Sequence, residues 1–243
     1  MMKTTHKIAF ITGAGSRLGN HIAWHMLDRG YSLLLHYFTQ EQGVEEVSRV
    51  AEKRGIPATV MQGDFSNQEG IALFLQRLAD SGIEPDVLIN AAGIIAPSRM
   101  GDVTLPMFEQ LCSINATAPI MITNQLAAKT SKKMSCIHIG DVGADLLWPR
   151  FGGYCLSKKM LAESARYQAE QFAPLVRVNN IALGMMLRSE WMDDALTQTL
   201  IQKVPLGRSG NLDDIMSTID FLNENDYITG QTITIDGGRS LKG

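Results

Sequence analysis

Ile8-Ala9-Phe10-Ile11-Thr12-Gly13-Ala14-Gly15-Ser16-Arg17-Leu18-Gly19 is a short apolar run that breaks into glycines and then enters a helical pattern. An apolar run this short, bounded by glycine, reads as a buried strand. Glycines at a strand-to-helix junction let the backbone turn tightly and approach a pyrophosphate, which then rests on the free N–H groups of the helix N-terminus. A plain helix-start turn has the same composition. The position at the first strand–helix junction is what favours the dinucleotide reading.

Outward from that stretch, strands and helices alternate. The helix over about 18–29 is followed by a strand Ser32–Tyr37, a charged helix Glu41–Arg54, a strand Thr59–Gln62 and a helix Ile71–Ser81. A strand Val87–Asn90, a helix over about 104–130, a strand Ser135–Ile139 and a helix over about 154–172 come next. The chain then runs through a strand Arg177–Ile181, an irregular Met-rich segment, a helix over about 211–223 and a last strand Thr232–Ile235. Such repetition predicts an α/β fold: a parallel sheet covered on both faces, made a Rossmann-type doubly wound sheet by right-handed crossovers. No linker or repeat interrupts it, so residues 1–243 are expected to form a single domain.

Composition agrees. The chain has 243 residues, 45% hydrophobic and 19% charged, with a formal net charge of −3. That is enough core for one large domain. No basic cluster points to nucleic acid, and no apolar run is long enough to span a membrane. The opening Met1–Lys7 has no signal-type apolar stretch, which leads to an expected cytoplasmic location. Cys112, Cys136 and Cys155 lack metal-ligand spacing; buried reduced thiols and no metal site are expected.

The second strand ends Leu35-His36-Tyr37-Phe38-Thr39, without the acidic residue that would hold a ribose 2′-hydroxyl. With no carboxylate to repel a 2′-phosphate, and with Arg17 and His36 as donors to one, NADPH (NADP) is the expected cofactor. Arg17 also has a simple surface role open to it. Gly63-Asp64-Phe65 follows the third strand, where Asp64 either faces an adenine amino group or caps the next helix. Asn90-Ala91-Ala92-Gly93 ends the fourth strand with small residues that admit a close-lying cofactor.

The chemistry is carried by Asp141-x12-Tyr154-x3-Lys158. Tyr-x3-Lys puts a phenol and an ammonium on one helix face, about one turn apart. A free phenol has a pKa of about 10, which the ammonium, together with the nicotinamide charge when the cofactor is oxidised, is expected to lower. Tyr154 then serves as a proton donor as hydride arrives. Asp141 has three readings: a loop-start cap, a lost hydroxyl in an inactive enzyme, or a carboxyl serving a nitrogen heterocycle. A carboxylate accepts N–H bonds from an amino-pyrimidine ring, and if burial raises its pKa it donates a proton instead. It would oppose the alkoxide formed when a ketone is reduced.

Taken together, Thr12-Gly13-x3-Arg17-x-Gly19, Asp64, Asn90-Ala-Ala-Gly93, Asn115, Tyr154-x3-Lys158, Val178-Asn179, Thr229-Gly230-Gln231 and Asp236-Gly237-Gly238 resemble the short-chain dehydrogenase/reductases. The resemblance spans essentially the whole length. Arg17, His36-Tyr37 and Asp141, with Gly63–Ser66 and Asp236–Arg239, make the chain most similar within that family to the pteridine reductases and bacterial dihydromonapterin reductases. The resemblance implies that Gly13, Ser16, Arg17, Leu18, Gly19, His36, Tyr37, Asp64, Phe65, Asn90, Ala91, Gly93 and Gly184 contact the cofactor. It implies that Lys158 and Tyr154 do so too, Lys158 through the nicotinamide ribose, and that Asn115 supports a water relay to Lys158. It places Arg17, Ile95, Asp141, Trp148 and Tyr154 against the small-molecule substrate, with Phe151 a further stacking surface. A lid over about 185–204, with Met185, Met186, Trp191 and Met192, is implied as well. So is a homotetramer built on the helices over 104–130 and 154–172.

Three positions depart from that pattern. Ile95 stands where an aromatic residue usually stacks on the pterin, Leu183-Gly184 replaces Pro-Gly, and Thr39 lacks a positive charge. The expected activity is NADPH-dependent reduction of a dihydropterin, with dihydrofolate a further candidate. Reduction of a ketone or 3-oxoacyl thioester is the alternative enzyme reading, and an NADPH-binding regulator the reading of another class.

Overall fold

Adjacent strand residues turn to opposite faces of a sheet, and here both faces are buried. In the computed structural model, which describes residues 6–186 and 193–242, this is plain from neighbouring pairs. Ile11, Leu35, Ile89 and Ile137 join one core cluster, while Phe10, Leu34, Leu88 and Cys136 join the other. The strands are β1 (Ile8–Thr12), β2 (Ser32–Tyr37), β3 (Ala58–Gln62), β4 (Val87–Asn90), β5 (Met134–Asp141), β6 (Val176–Leu183) and β7 (Thr232–Ile235). They form one parallel sheet in the order β3-β2-β1-β4-β5-β6-β7. The expected doubly wound sheet is what the structure has.

Helices α1 (Arg17–Asp28), α2 (Glu41–Lys53) and α8 (Leu212–Glu224) cover one face through Ile22, Met26, Val44, Val47, Ile215 and Ile219. Helices α3 (Gln68–Ser81), α5 (Ala118–Lys129) and α6 (Gly152–Phe172) cover the other through Phe74, Ile122 and Ala165. Phe10 is fully buried in that second layer. Its truncation to alanine would cost about 3–5 kcal/mol.

Two expected elements differ. The helix expected over 104–130 is α4 (Leu105–Cys112), a π-helical turn Ser113–Thr117 and then α5. Pro119 has no N–H to offer the carbonyl of Asn115 four residues earlier, so a regular helix cannot run through. The segment expected to be irregular contains α7 (Asp194–Gln202), whose cap Asp193 accepts from the Leu196 N–H at 2.7 Å. Trp191 and Met192 lie outside the described residues. Cys136 and Cys155 are buried as expected, but Cys112 is only half-buried.

The strand order reverses between β1 and β4, the place where doubly wound sheets bind ligands. The registers Tyr37↔Gln62, Thr12↔Asn90 and Asp141↔Leu183 bring the carboxyl ends of these strands to a common edge. Among the described residues no helix is long and apolar enough to cross a membrane.

Candidate active site

The glycine turn after β1 is built from beneath. Gly13 has φ +70°, and a Cβ there would lie 2.7 Å from Ala92 Cα; one at Gly19 would lie 2.1 Å from the Gly13 oxygen. Only glycine allows the turn to pass so close to the end of β4 and to α1. Ser16 caps α1: its Oγ accepts from the Gly19 N–H at 3.2 Å and donates to the Gly13 oxygen at 2.7 Å.

His36 supports the same turn. Its Nδ1 accepts from the Gly13 N–H at 3.1 Å, so the ring proton sits on Nε2, which donates to the Gly63 oxygen at 3.0 Å. The ring stacks on Phe65 at 4.0 Å and is 2% exposed. Burial lowers its pKa to about 4, keeping it neutral. The sequence reading of His36 as a phosphate donor is therefore corrected: both nitrogens are committed to backbone, and the residue shapes the turn instead.

Other expected cofactor residues divide in the same way. Tyr37 is buried and donates to Glu41 Oε1 at 2.6 Å. Asp64 accepts from the Ser66 N–H at 2.8 Å, and the helix cap suggested for it belongs to Asn67, which accepts from Gly70. The Asn90 amide turns into the core, where its Nδ2 donates to His138 Nδ1 at 3.1 Å and Thr123 Oγ1 at 3.2 Å.

The acid–base residues meet at the end of β5. Asp141 is the last residue of that strand rather than a loop residue. Its Oδ1 accepts from the Gly143 N–H at 2.7 Å, capping a 3-10 turn Val142–Ala144, and its Oδ2 accepts from the Tyr154 hydroxyl at 2.7 Å. The cap and the catalytic contact use different oxygens of one carboxylate. Burial raises the Asp141 carboxyl above its usual range, against the opposing pull of the Gly143 and Tyr154 hydrogen bonds and the Lys158 charge.

Burial and then the Asp141 charge hold the Tyr154 phenol well above its ordinary value. This corrects the expectation of a lowered phenol. The Lys158 ammonium is buried and donates to the Ile139 carbonyl at 2.8 Å, and burial pulls its own pKa down. Asn115 is fully buried: its Oδ1 accepts from the Ile94 N–H at 2.8 Å, while Nδ2 donates to the Ile94 oxygen at 2.9 Å and to the Oγ of buried Ser157 at 3.0 Å. Gly93 passes between them, since a Cβ there would lie 3.2 Å from Asn115 Oδ1 and 3.4 Å from Lys158 Nζ.

A cleft of about 770 Å³ opens at this edge. Ser16, Arg17, Leu18, Ala91, Gly93, Ile95, Asp141, Trp148, Tyr154, Lys158 and Gly184 line it, together with Phe151, Met185 and Met186. Trp148 and Phe151 meet edge to face at 6.4 Å, so aromatic surface is present although Ile95 is aliphatic. Gly184 has no room for a side chain, because a Cβ would lie 2.6 Å from Asp236 Cβ. Leu196, Leu200, Lys203 and Val204, within the segment expected as a lid, also line the cleft, and so does Arg239, which sequence reasoning missed as a site residue. The four-residue spacing of Leu196 and Leu200 was the available signal for α7.

The glycine cradle and the small residues beside it fit a dinucleotide, and the cleft contains an acid pair beside aromatic surface. Comparison with known proteins agrees. The profile of the family described as enoyl-(acyl carrier protein) reductase matches residues 13–240. The chain is 26% identical over 250 residues to an uncharacterised oxidoreductase of Methylorubrum extorquens, covering 98% of this chain and 99% of that one. It is 27% identical over 236 residues to the dihydromonapterin reductase of Klebsiella pneumoniae, covering 96% of each. Among solved structures, FolM alternative dihydrofolate reductase 1 of Brucella canis, complexed with NADP, is similar with a TM-score of 0.88 and 25% identity, over 97% of this chain and 94% of that one.

Proposed function

The chain belongs to the short-chain dehydrogenase/reductase family, and on that premise we propose that it is an NADPH-dependent reductase of dihydropterins such as dihydromonapterin or dihydrobiopterin, with dihydrofolate a further substrate. The observation that carries the reading is the Asp141 carboxyl, hydrogen-bonded to the Tyr154 hydroxyl at 2.7 Å on the wall of the cleft. The relatives that reduce dihydromonapterin and the NADP-bound FolM neighbour support substrate class and cofactor. The cradle of Gly13, Ser16, Arg17, Leu18 and Gly19 would hold the pyrophosphate, and Lys158 the nicotinamide ribose.

Reduction of C=N requires a hydride at carbon and a proton at nitrogen. The nicotinamide supplies the hydride when bound. A phenolate beside an ionised Asp141 would be costly, as the raised pKa of Tyr154 expresses. Tyr154 is therefore held in its protonated form, and in the proposed step the buried Asp141 carboxyl supplies a second proton. Tyr154 gives its proton to the ring nitrogen and recovers one from the Asp141 carboxyl, so the net proton lost is that of the weaker base. In its ionised form Asp141 accepts N–H bonds from the amino-pyrimidine. Trp148 and Phe151 offer the flat ring a stacking surface.

A second reading is reduction of a ketone or 3-oxoacyl thioester, since the family also holds reductases of acyl carrier protein thioesters. Asp141 opposes it in its ionised form, in which the carboxylate repels the alkoxide; a protonated Asp141 would not. Following NADPH oxidation with a dihydropterin, dihydrofolate and an acetoacetyl thioester separates the readings. Turnover of the thioester alone would sink the pterin reading, and NADPH binding without turnover would favour a regulator.

A homotetramer is part of the proposal. Leu156, Met160 and Tyr167 form an exposed apolar stripe on α6, with Met121 exposed on α5. Sedimentation of a single monomeric species would contradict it.

A further inference from the structure

Helix α6 presents Tyr154 in its first turn, where N–H groups have no partner within the helix. The cap position, Phe151, offers no side-chain hydrogen bond. The acceptors come from another part of the chain. Ser98, in the loop between β4 and α4, accepts from the Gly153 N–H through its carbonyl at 2.9 Å and from the Tyr154 N–H through Oγ at 3.0 Å. Its own N–H donates to the Arg150 oxygen at 2.9 Å and its hydroxyl to the Ala96 oxygen at 3.1 Å. Ser98 is 2% exposed and uses every polar atom it has.

The carbonyl of Tyr154 is tied to the same loop. Ser157 Oγ donates to it at 2.7 Å and accepts from Asn115 Nδ2 at 3.0 Å, while Asn115 brackets the Ile94 peptide on both its N–H and its C=O. The backbone of Tyr154 is thus anchored at both ends to residues 94–98, the loop that places Ile95 in the cleft. Helix and loop touch closely enough that a Cβ on Gly153 would lie 3.1 Å from Ser98 Cβ.

We infer that Ser98 is a positioning residue: it caps α6 from outside the helix and holds the Tyr154 hydroxyl in register with the cleft wall carried by its own loop. The inference rests on the reading of Tyr154 as the proton donor. Ser98→Ala removes the side-chain acceptor at nearly constant volume, and Ser98→Cys keeps a weak one. With dihydrobiopterin, single-turnover hydride transfer should fall about five- to tenfold in Ser98→Ala, the effect expected for loss of one cap, and should be intermediate in Ser98→Cys. NADPH affinity, read by fluorescence titration, should stay within about twofold, because the cradle is built by other residues; a change of that size is under 0.5 kcal/mol. An unchanged hydride-transfer rate in Ser98→Ala would overturn the inference. So would a parallel fall of rate and NADPH affinity in both variants, the signature of general damage. Tyr154→Phe separates the two failures: full turnover there removes the donor reading itself, whereas an inactive Tyr154→Phe beside an unimpaired Ser98→Ala removes only the clip.

Discussion

The Tyr154 hydroxyl and the Asp141 carboxyl share one hydrogen bond of 2.7 Å, while the second carboxylate oxygen is held by the Gly143 N–H at 2.7 Å. One oxygen fixes the carboxyl and the other faces the phenol. The fixed oxygen leaves Asp141 little freedom to turn away, so each group sets the protonation of the other.

Tyr154→Phe removes the proton donor without emptying space in the helix. Turnover should fall by about 10²- to 10⁴-fold, while NADPH binds as before. Steady-state NADPH oxidation and fluorescence titration check the two halves separately. Retained turnover would show that the phenol is dispensable.

Asp141 makes the rate pH-dependent. If its protonated form feeds Tyr154, dihydropterin turnover declines as pH rises through the raised carboxyl pKa. Asp141→Asn should lower the rate and remove that limb from the kcat profile. A limb that survives in Asp141→Asn belongs to another group.

His36 couples the glycine turn to acid stability. Its folded pKa is lowered to about 4, so between pH 6.5 and 4 the unfolded chain binds the extra proton and stability is lost as pH falls. The loss approaches about 3 kcal/mol once pH is below the folded value. Asp141, with a raised pKa, acts in the opposite sense just above the usual carboxylate range, so the His36 contribution is read by difference. Urea unfolding of wild type and His36→Asn across this window should show a shallower loss in the variant. Parallel curves would mean that His36 is not buried as a neutral ring.

Trp148→Ala tests the stacking surface. The KM for a dihydropterin should rise about two- to tenfold, corresponding to an aromatic contact of about 0.5–1.5 kcal/mol, with NADPH affinity unchanged. Steady-state titration of the pterin at saturating NADPH reads it directly. An unchanged KM would leave Phe151 or the aliphatic wall of Ile95 as the ring contact.

Fold and site were unequally legible in the sequence. Strand pairs such as Phe10-Ile11 and Leu34-Leu35 announce burial on both faces, and the helices between them require a doubly wound sheet. The grouping of Asp141, Tyr154 and Lys158 followed from helix spacing and a strand end. The direction of the Tyr154 shift did not, because spacing carries no information on burial or on where the Lys158 ammonium points. His36 read as a donor because a polar residue at a strand end often meets a ligand. What decides its role is the Gly63 carbonyl and the Phe65 ring, brought beside it by β3 pairing. α7 and the break before Pro119 were lost to local chemistry: one aspartate cap and one missing N–H.

The central claim is that the Asp141–Tyr154 pair selects a nitrogen heterocycle over a carbonyl. NADPH oxidation by wild type and Asp141→Ser, each with a dihydropterin and with an acetoacetyl thioester, tests it most directly. The account predicts that wild type turns over the pterin in preference to the thioester, and that Asp141→Ser loses pterin turnover. Equal pterin rates in the two proteins, or wild-type turnover of the thioester alone, would contradict it.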